Sequence, residues 1–358
     1  MVRQHATVLT KPSPGVQRPS TTAVDMRVRN VLLVGSLLVS LLALGNLPAP
    51  AQADAAAPQD DGSVIRVDVE VVSVLATVRD KKGGLVSSLT KDDFVLEENG
   101  VPQEITYFSQ QTDLPLTIGL LVDTSVSQQR LIDTERSASY QFFEQMLRHS
   151  KDLAFLMSFD VDVELLQDLT DSSVLLHQGL QDLEIQGASG GIHPGPVPTS
   201  DRTPGTVLFD AVFLAADEML KPQVGRKAIV LVSDGNDYGS RLKLEEALEA
   251  AHRADAVIYG IRYFDREFYF RSGAFGGGGF GTLRKLGRDT GGNAFEVTRK
   301  QPLNDIFDQI QAELRSQYNI GYTSSQDGTN GGFRKIELRT KDKSLKVSAR
   351  NGYYPKGS

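Results

Sequence analysis

The chain has 358 residues, 40% of them apolar, a formal net charge of −7 and no cysteine. That length suits about two domains with a buried core, and the missing cysteine excludes disulfides, thiolate zinc sites, iron–sulfur ligation and a cysteine nucleophile. The acidic balance argues against a nucleic-acid binder, which needs a basic face to displace counterions from phosphate.

Residues 1–25 are polar and without periodicity, and read as a disordered leader. Met26-Arg-Val-Arg-Asn, the apolar run Val31 to Leu47 and Ala51-Gln-Ala53 are the three parts of a secretory signal. Residues 26–53 are therefore expected either to be cleaved after Ala53 or to stay as an N-terminal anchor. Their place behind a polar leader points to translation from Met26. Both outcomes export the remainder of the chain, to the periplasm, the medium or the cell envelope. Residues 54–63 are a polar linker.

Residues 64–110 read as a small all-β, sandwich-like module. Ile65, Val67, Val69 and Val71 alternate with polar residues, and Val72, Val74, Ala76 and Val78 continue in shifted phase, which predicts a bulge at Val71-Val72. Short strands are expected next at Leu85-Val86, Phe94–Leu96 and Ile105–Phe108, with Asn99-Gly100 as a hairpin turn between the last two.

From Leu114 strands alternate with helices. Leu116–Val122 and Ala154–Phe159 are nearly continuous apolar runs, as in strands buried on both faces. Further strands are expected at Val163–Leu166, Ala228–Val232, Ala256–Ile261, Asn293–Val297 and Tyr318–Tyr322. Helices are expected near 131–147, 173–183, 208–220, 242–253, 283–289 and 303–316, and Gly-rich loops at 187–205 and 272–281. This grammar predicts a doubly wound, mainly parallel α/β sheet over residues 114–325. Residues 331–356 return to alternation and read as a C-terminal β-hairpin, turning near Lys341–Lys343 and packed on the preceding domains.

Three oxygen-bearing groups fall at the ends of these elements. Asp123-Thr-Ser-Val-Ser127, a D-x-S-x-S motif, ends the first α/β strand; Ser233-Asp234-Gly235-Asn236 comes after the strand ending at Val232; Gly205-Thr206 precedes the helix from Leu208. Ligands of open parallel sheets bind beyond the carboxyl ends of the strands. Carboxylates and hydroxyls are hard ligands, suited to Mg²⁺, Mn²⁺ or Ca²⁺ and poorly suited to zinc or copper. Each group alone has a plainer reading, as a helix cap or an Asp-Gly turn. Their order and placement together point to a single site.

In these residues the segment from Leu114 to Thr323 resembles a von Willebrand factor type A domain, whose metal-ion-dependent adhesion site is D-x-S-x-S with a distant Thr and Asp. The resemblance extends to the acidobacterial-type von Willebrand factor A-related family, through residues 89–105, Tyr318–Thr323, 333–340 and 347–355. It implies a Rossmann-like fold in which Asp123, Ser125, Ser127, Thr206 and Asp234 hold one divalent cation, Mg²⁺ foremost. Thr203 is a rival for the threonine. Neutral hydroxyl ligands leave the cation under-neutralised, with a position open to an Asp or Glu carboxylate of a protein partner. The expected function is an exported, cation-dependent binding or adhesion protein; the alternative is a metal-free structural scaffold in a cell-envelope complex.

An enzyme is not expected. Gly187-Ala-Ser-Gly-Gly191, beside His193, fits G-x-S-x-G but lacks the strand-to-helix turn a nucleophile elbow needs. Gly276–Gly281 fits G-x-G-x-x-G but does not come directly after its strand, as a dinucleotide fingerprint must. The aromatics of the preceding loop either contact a partner or fold back onto the domain; Asn236, Phe268, Tyr269 and Phe275 are the candidates for partner contact.

Overall fold

The computed structural model describes residues 71–110, 114–185, 205–272, 279–326 and 332–355. These belong to the larger of two compact units, Arg66–Ser358. The leader, the signal or anchor segment, the linker and the Ile65–Val69 strand lie outside the described residues, as do Gly187–Gly191, His193, Thr203 and Phe275.

The central element is a six-stranded sheet. Its strands are β5 (Leu116–Asp123), β6 (Leu153–Phe159), β7 (Val163–Thr170), β8 (Arg226–Ser233), β9 (Ala256–Arg262) and β10 (Asn293–Glu296), in the order β10-β9-β8-β5-β6-β7. All neighbours run parallel except β6 and β7. Every residue of β5 is buried, because the pleat sends alternate side chains into two separate cores. Ile118, Leu120 and Val122 join residues of α1 (Ile132–Met146), α2 (Ser173–Gln181) and α7 (Leu303–Arg315). Leu121 joins residues of α3 (Leu208–Leu214), α4 (Leu244–Arg253) and α6 (Gly279–Thr290). The chain continues from α3 as a π-helical turn, Ala215–Leu220.

This strand order fixes where a ligand goes. From β5 the chain moves outward to β6 and β7, then returns to β8 on the other side of β5. The connecting segments part at that point, and a crevice opens beyond the carboxyl ends of β5 and β8. Asp123 closes β5, and Asp234 is the residue immediately after β8.

Two four-stranded antiparallel sheets form a sandwich. One is ordered β13-β1-β11-β4, from β13 (Lys346–Ala349), β1 (Val71–Arg79), β11 (Tyr318–Thr323) and β4 (Ile105–Gln110). The other is β14-β12-β2-β3, from β14 (Gly352–Tyr353), β12 (Arg334–Thr340), β2 (Phe94–Glu98) and β3 (Val101–Gln103). Val72, Val74, Ala76 and Val78 of β1 face Phe94, Leu96 and Ile336 across their shared core. Asn99 and Gly100 both take positive φ, the geometry of a tight two-residue hairpin turn.

The pairing departs from the sequence expectation in four places. Register is regular across Val71 and Val72, so the bulge expected there is absent from the described strand. The Asn99-Gly100 turn pairs β2 with β3, while β4, the expected partner, belongs to the opposite sheet. β11, read as the closing strand of the α/β pattern, lies between β1 and β4 in the sandwich. Its inward tyrosines select that place: Tyr318 donates to the Val86 carbonyl at 2.9 Å, and Tyr322 to Glu98 at 2.6 Å. Finally, the C-terminal strands are not a hairpin with each other. β12 pairs with β2 and β14, while β13 pairs with β1, so the turn between them crosses from one sheet to the other and each strand covers an open edge.

Candidate functional site

Asp123 is fully buried at the end of β5. One of its oxygens accepts the Ser125 backbone N–H at 3.0 Å, and the other accepts the Ser233 hydroxyl at 2.7 Å. The first contact folds the chain sharply after the strand and brings the Ser125 and Ser127 hydroxyls within 2.9 Å of each other. Ser127 also donates to Asp234 at 3.4 Å, so the D-x-S-x-S segment and the loop after β8 share one network. The other Asp234 oxygen accepts the Asn236 N–H at 2.8 Å.

Gly235 is required by this arrangement. Its φ is +84°, and a Cβ there would stand 2.3 Å from the Gly279 carbonyl oxygen, because the start of α6 lies directly on the turn. The reciprocal contact forbids a side chain at Gly279. The last glycines of the Gly276–Gly281 run thus allow a helix to pack against the Asp234 loop, and 279–281 are helical rather than loop.

Thr206 is buried at the same edge, held by its neighbours' backbone. The Tyr238 N–H donates to the Thr206 carbonyl at 3.0 Å, and the Val207 N–H to the Asp160 carbonyl at 2.8 Å. The threonine is thereby tied to the ends of both β6 and the Asp234 loop. Its hydroxyl makes no hydrogen bond to the other four side chains among the described residues.

The segment expected as an aromatic loop forms a short helix, α5 (Arg266–Ser272). Tyr269 folds back from it, and its hydroxyl donates to Asp234. The Asn236 side-chain amide reaches that hydroxyl at 3.5 Å. Phe268 lines a groove of about 400 Å³ beside the site, together with Val126, Arg130 and Arg271, and Phe270 is 88% exposed.

Two further side chains escaped the sequence reading. Ser233 supplies the hydroxyl that orients Asp123; its only signal was its place beside Asp234. Glu135 of α1 has no exposed surface, and neither of its carboxyl oxygens has a partner among the described residues. A glutamate in an amphipathic helix reads as a solvent-facing position, yet here it lies on the buried face with Ala138 and Phe142.

The electrostatics arise from burial. Desolvation, then repulsion from Asp234, pushes the Asp123 carboxyl up to about 7. Desolvation and the nearby Asp123 raise Glu135 well above the usual carboxylate range. Every hydrogen-bond partner of Asp123 and Asp234 is neutral, and no lysine or arginine pairs with either among the described residues. Buried carboxylates without a counter-charge are costly. The donor set of two carboxylates and adjacent hydroxyls fits a hard divalent cation. Among the described residues no three His, Cys, Asp or Glu side chains cluster to hold a metal, so a cation here depends on the hydroxyls.

No protein-family model and no curated protein sequence matches the chain. Among solved structures it is similar to proximal thread matrix protein 1 from the mussel byssus, over 61% of this chain and 51% of that one, at 11% identity and a TM-score of 0.44. The chain thus spans about half the length of the mussel protein, another structure of which has a zinc-occupied adhesion motif. BatB from Bacteroides thetaiotaomicron matches over 56% of this chain and 97% of its own, at 17% identity and a TM-score of 0.38. The von Willebrand factor domain of the type V pili tip protein Mfa5 from Porphyromonas gingivalis matches over 56% and 94%, at 13% and 0.40. The strand order and the one antiparallel edge strand among the described residues make the α/β portion a doubly wound, mainly parallel sheet with Asp123 at its β5–β8 crevice, the architecture expected from the resemblance to von Willebrand factor A domains.

Proposed function

We propose that the protein is an exported, cation-dependent binding protein rather than an enzyme, with Asp123, Ser125, Ser127, Thr206 and Asp234 holding one divalent cation, Mg²⁺ foremost and Mn²⁺ or Ca²⁺ as substitutes. One observation carries the reading: two buried aspartates meet at the β5–β8 crevice through serine hydroxyls, with no positive partner among the described residues. When bound, the cation supplies an under-neutralised positive charge that attracts a carboxylate of a protein partner. The chain's own residues do the rest. The Ser233 hydroxyl and Ser125 N–H orient Asp123, Asn236 N–H orients Asp234, and Gly235 with Gly279 fixes the loop that presents it. The groove beside Val126 and Phe268 offers contact area for the partner.

Export rests on the signal-like segment at residues 26–53. No helix among the described residues is long and apolar enough to cross a membrane.

A second reading has its own observation. Tyr269 donates to Asp234 and closes a hydrogen-bonded network that needs no ion, as expected of a metal-free scaffold in an envelope complex. Capture of partners from an envelope extract, with Mg²⁺ and then with EDTA, separates the two. Loss of specific partners on chelation, and from the Asp123→Ala protein, supports cation-dependent binding. The same partners under both conditions support the scaffold.

A further inference from the structure

At the opposite edge of the parallel sheet, where β1 and β11 of the sandwich meet the starts of β8 and β9, lies a cavity of about 160 Å³. One water occupies roughly 30 Å³, so the space exceeds a single solvent molecule. Its polar lining is rich in donors. Arg226 is only 2% exposed, and among the described residues no carboxylate pairs with it. Two of its five N–H groups go to the carbonyls of Leu314 and Leu114, and its Nε has no partner among the described residues. The nearby Asp152 carboxylate is already held by Arg148, through contacts of 2.7 and 2.8 Å.

Arg350 reaches the cavity from the sandwich side, with a side chain 11% exposed. It donates to Asp255 and to the Ser73 carbonyl, and its Nε too has no partner among the described residues. Asn319 accepts the Ser73 hydroxyl at 2.7 Å through Oδ1, and its amide N–H groups meet no acceptor among the described residues. His252 completes the lining; burial and Arg350 push its pKa down to about 4, so near neutral pH it adds a donor without charge. Asp255, the one carboxylate in the lining among the described residues, is half-exposed and engaged by Arg350. A buried guanidinium without a counter-charge is costly, and Arg226 and Arg350 both line this cavity.

We propose that this cavity binds a small inorganic oxyanion of the phosphate or sulfate class, which supplies the counter-charge to Arg226 and bridges it to Arg350 and Asn319. The site is separate from the proposed cation site and would join the sandwich to the α/β sheet.

The test uses the full chain in EDTA, with inorganic phosphate as probe at constant ionic strength and chloride as control. Phosphate raises the melting temperature saturably in the wild type, and calorimetry gives one site. Arg350→Gln, at the rim, weakens phosphate by about tenfold or more, the value of a hydrogen bond to a charged group; Arg226→Gln removes binding. Should Arg226→Gln fail to fold, Arg350→Gln and Asn319→Ala carry the test. A wild-type melting temperature that responds to phosphate no more than to chloride overturns the proposal. So does wild-type affinity in Arg350→Gln. Saturation by acetate but not phosphate also overturns it, in favour of a carboxylate site.

Discussion

At the scale of single residues, the site combines groups that repel each other. Asp123 is held by Ser233 and Ser125, while burial and Asp234 raise its carboxyl to about 7. The serines carry no charge to relieve this, and the proposed cation would supply the missing counter-charge. Tyr269 donates to the other carboxylate, Asp234, and would compete there with the proposed cation. Tyr269→Phe deletes that donor and leaves the aromatic ring in place. Divalent-cation affinity is expected to rise by about tenfold, the worth of a hydrogen bond to a charged group. Titration calorimetry reads this directly, and an unchanged constant would show that Tyr269 does not compete. Asp123, Ser125, Ser127 and Asp234 were legible in the sequence because strand ends place them there. Tyr269's contact was not, because it depends on how a 35-residue-distant segment folds back. Glu135 was hidden for another reason: a charged residue in a helix gives no pattern that marks it as buried.

At the scale of elements, the continuous apolar runs of β5, β6, β8 and β9 identified the sheet, since strands buried on both faces leave no other signature. The crevice between β5 and β8 is a consequence of strand order, and the loops around it are set by glycine. Gly235→Ala forces a side chain to φ +84° and against the Gly279 carbonyl. The expected cost is at least about 2 kcal/mol, measured by denaturant unfolding, together with weaker cation binding as the Asp234 loop shifts. Stability within about 0.5 kcal/mol of wild type would mean that α6 yields easily. The strands of the sandwich were legible as strands but their partners were not. Alternation tells which face is buried and says nothing about which open edge a strand will join; β4, β11, β12 and β13 all illustrate this.

At the scale of the whole molecule, the sandwich is assembled from both ends of the described chain, before and after the α/β portion. β11 lies between β1 and β4, and β12 lies against β2. A chain ending at Ser316 lacks these partners. Its β1 and β2 amides should exchange with solvent unprotected, whereas in the full chain they are protected; equal protection in both would contradict the interleaved pairing. The junction also carries a pH dependence. His252 ordinarily titrates near 6.5, and burial, then Arg350, depresses it to about 4, against the opposing pull of Asp289 and Asp255. The folded state binds this proton less readily than the unfolded chain, so the contribution is intact above pH 6.5 and fades as pH falls toward 4. The loss is on the order of 3 kcal/mol over that window. His252→Gln should flatten this limb of the stability curve, and an unaltered slope would assign the dependence elsewhere.

Asp123 is the proposed anchor of the cation, and every other ligand is arranged around it. The most direct test is a calorimetric titration of Mg²⁺ into the full chain and into Asp123→Ala, with circular dichroism showing the same secondary structure in both. The expected result is one saturable site in the wild type and a loss of more than roughly a hundredfold in the variant, beyond what removal of an outer-shell partner causes. Equal Mg²⁺ affinity in the two proteins would contradict it.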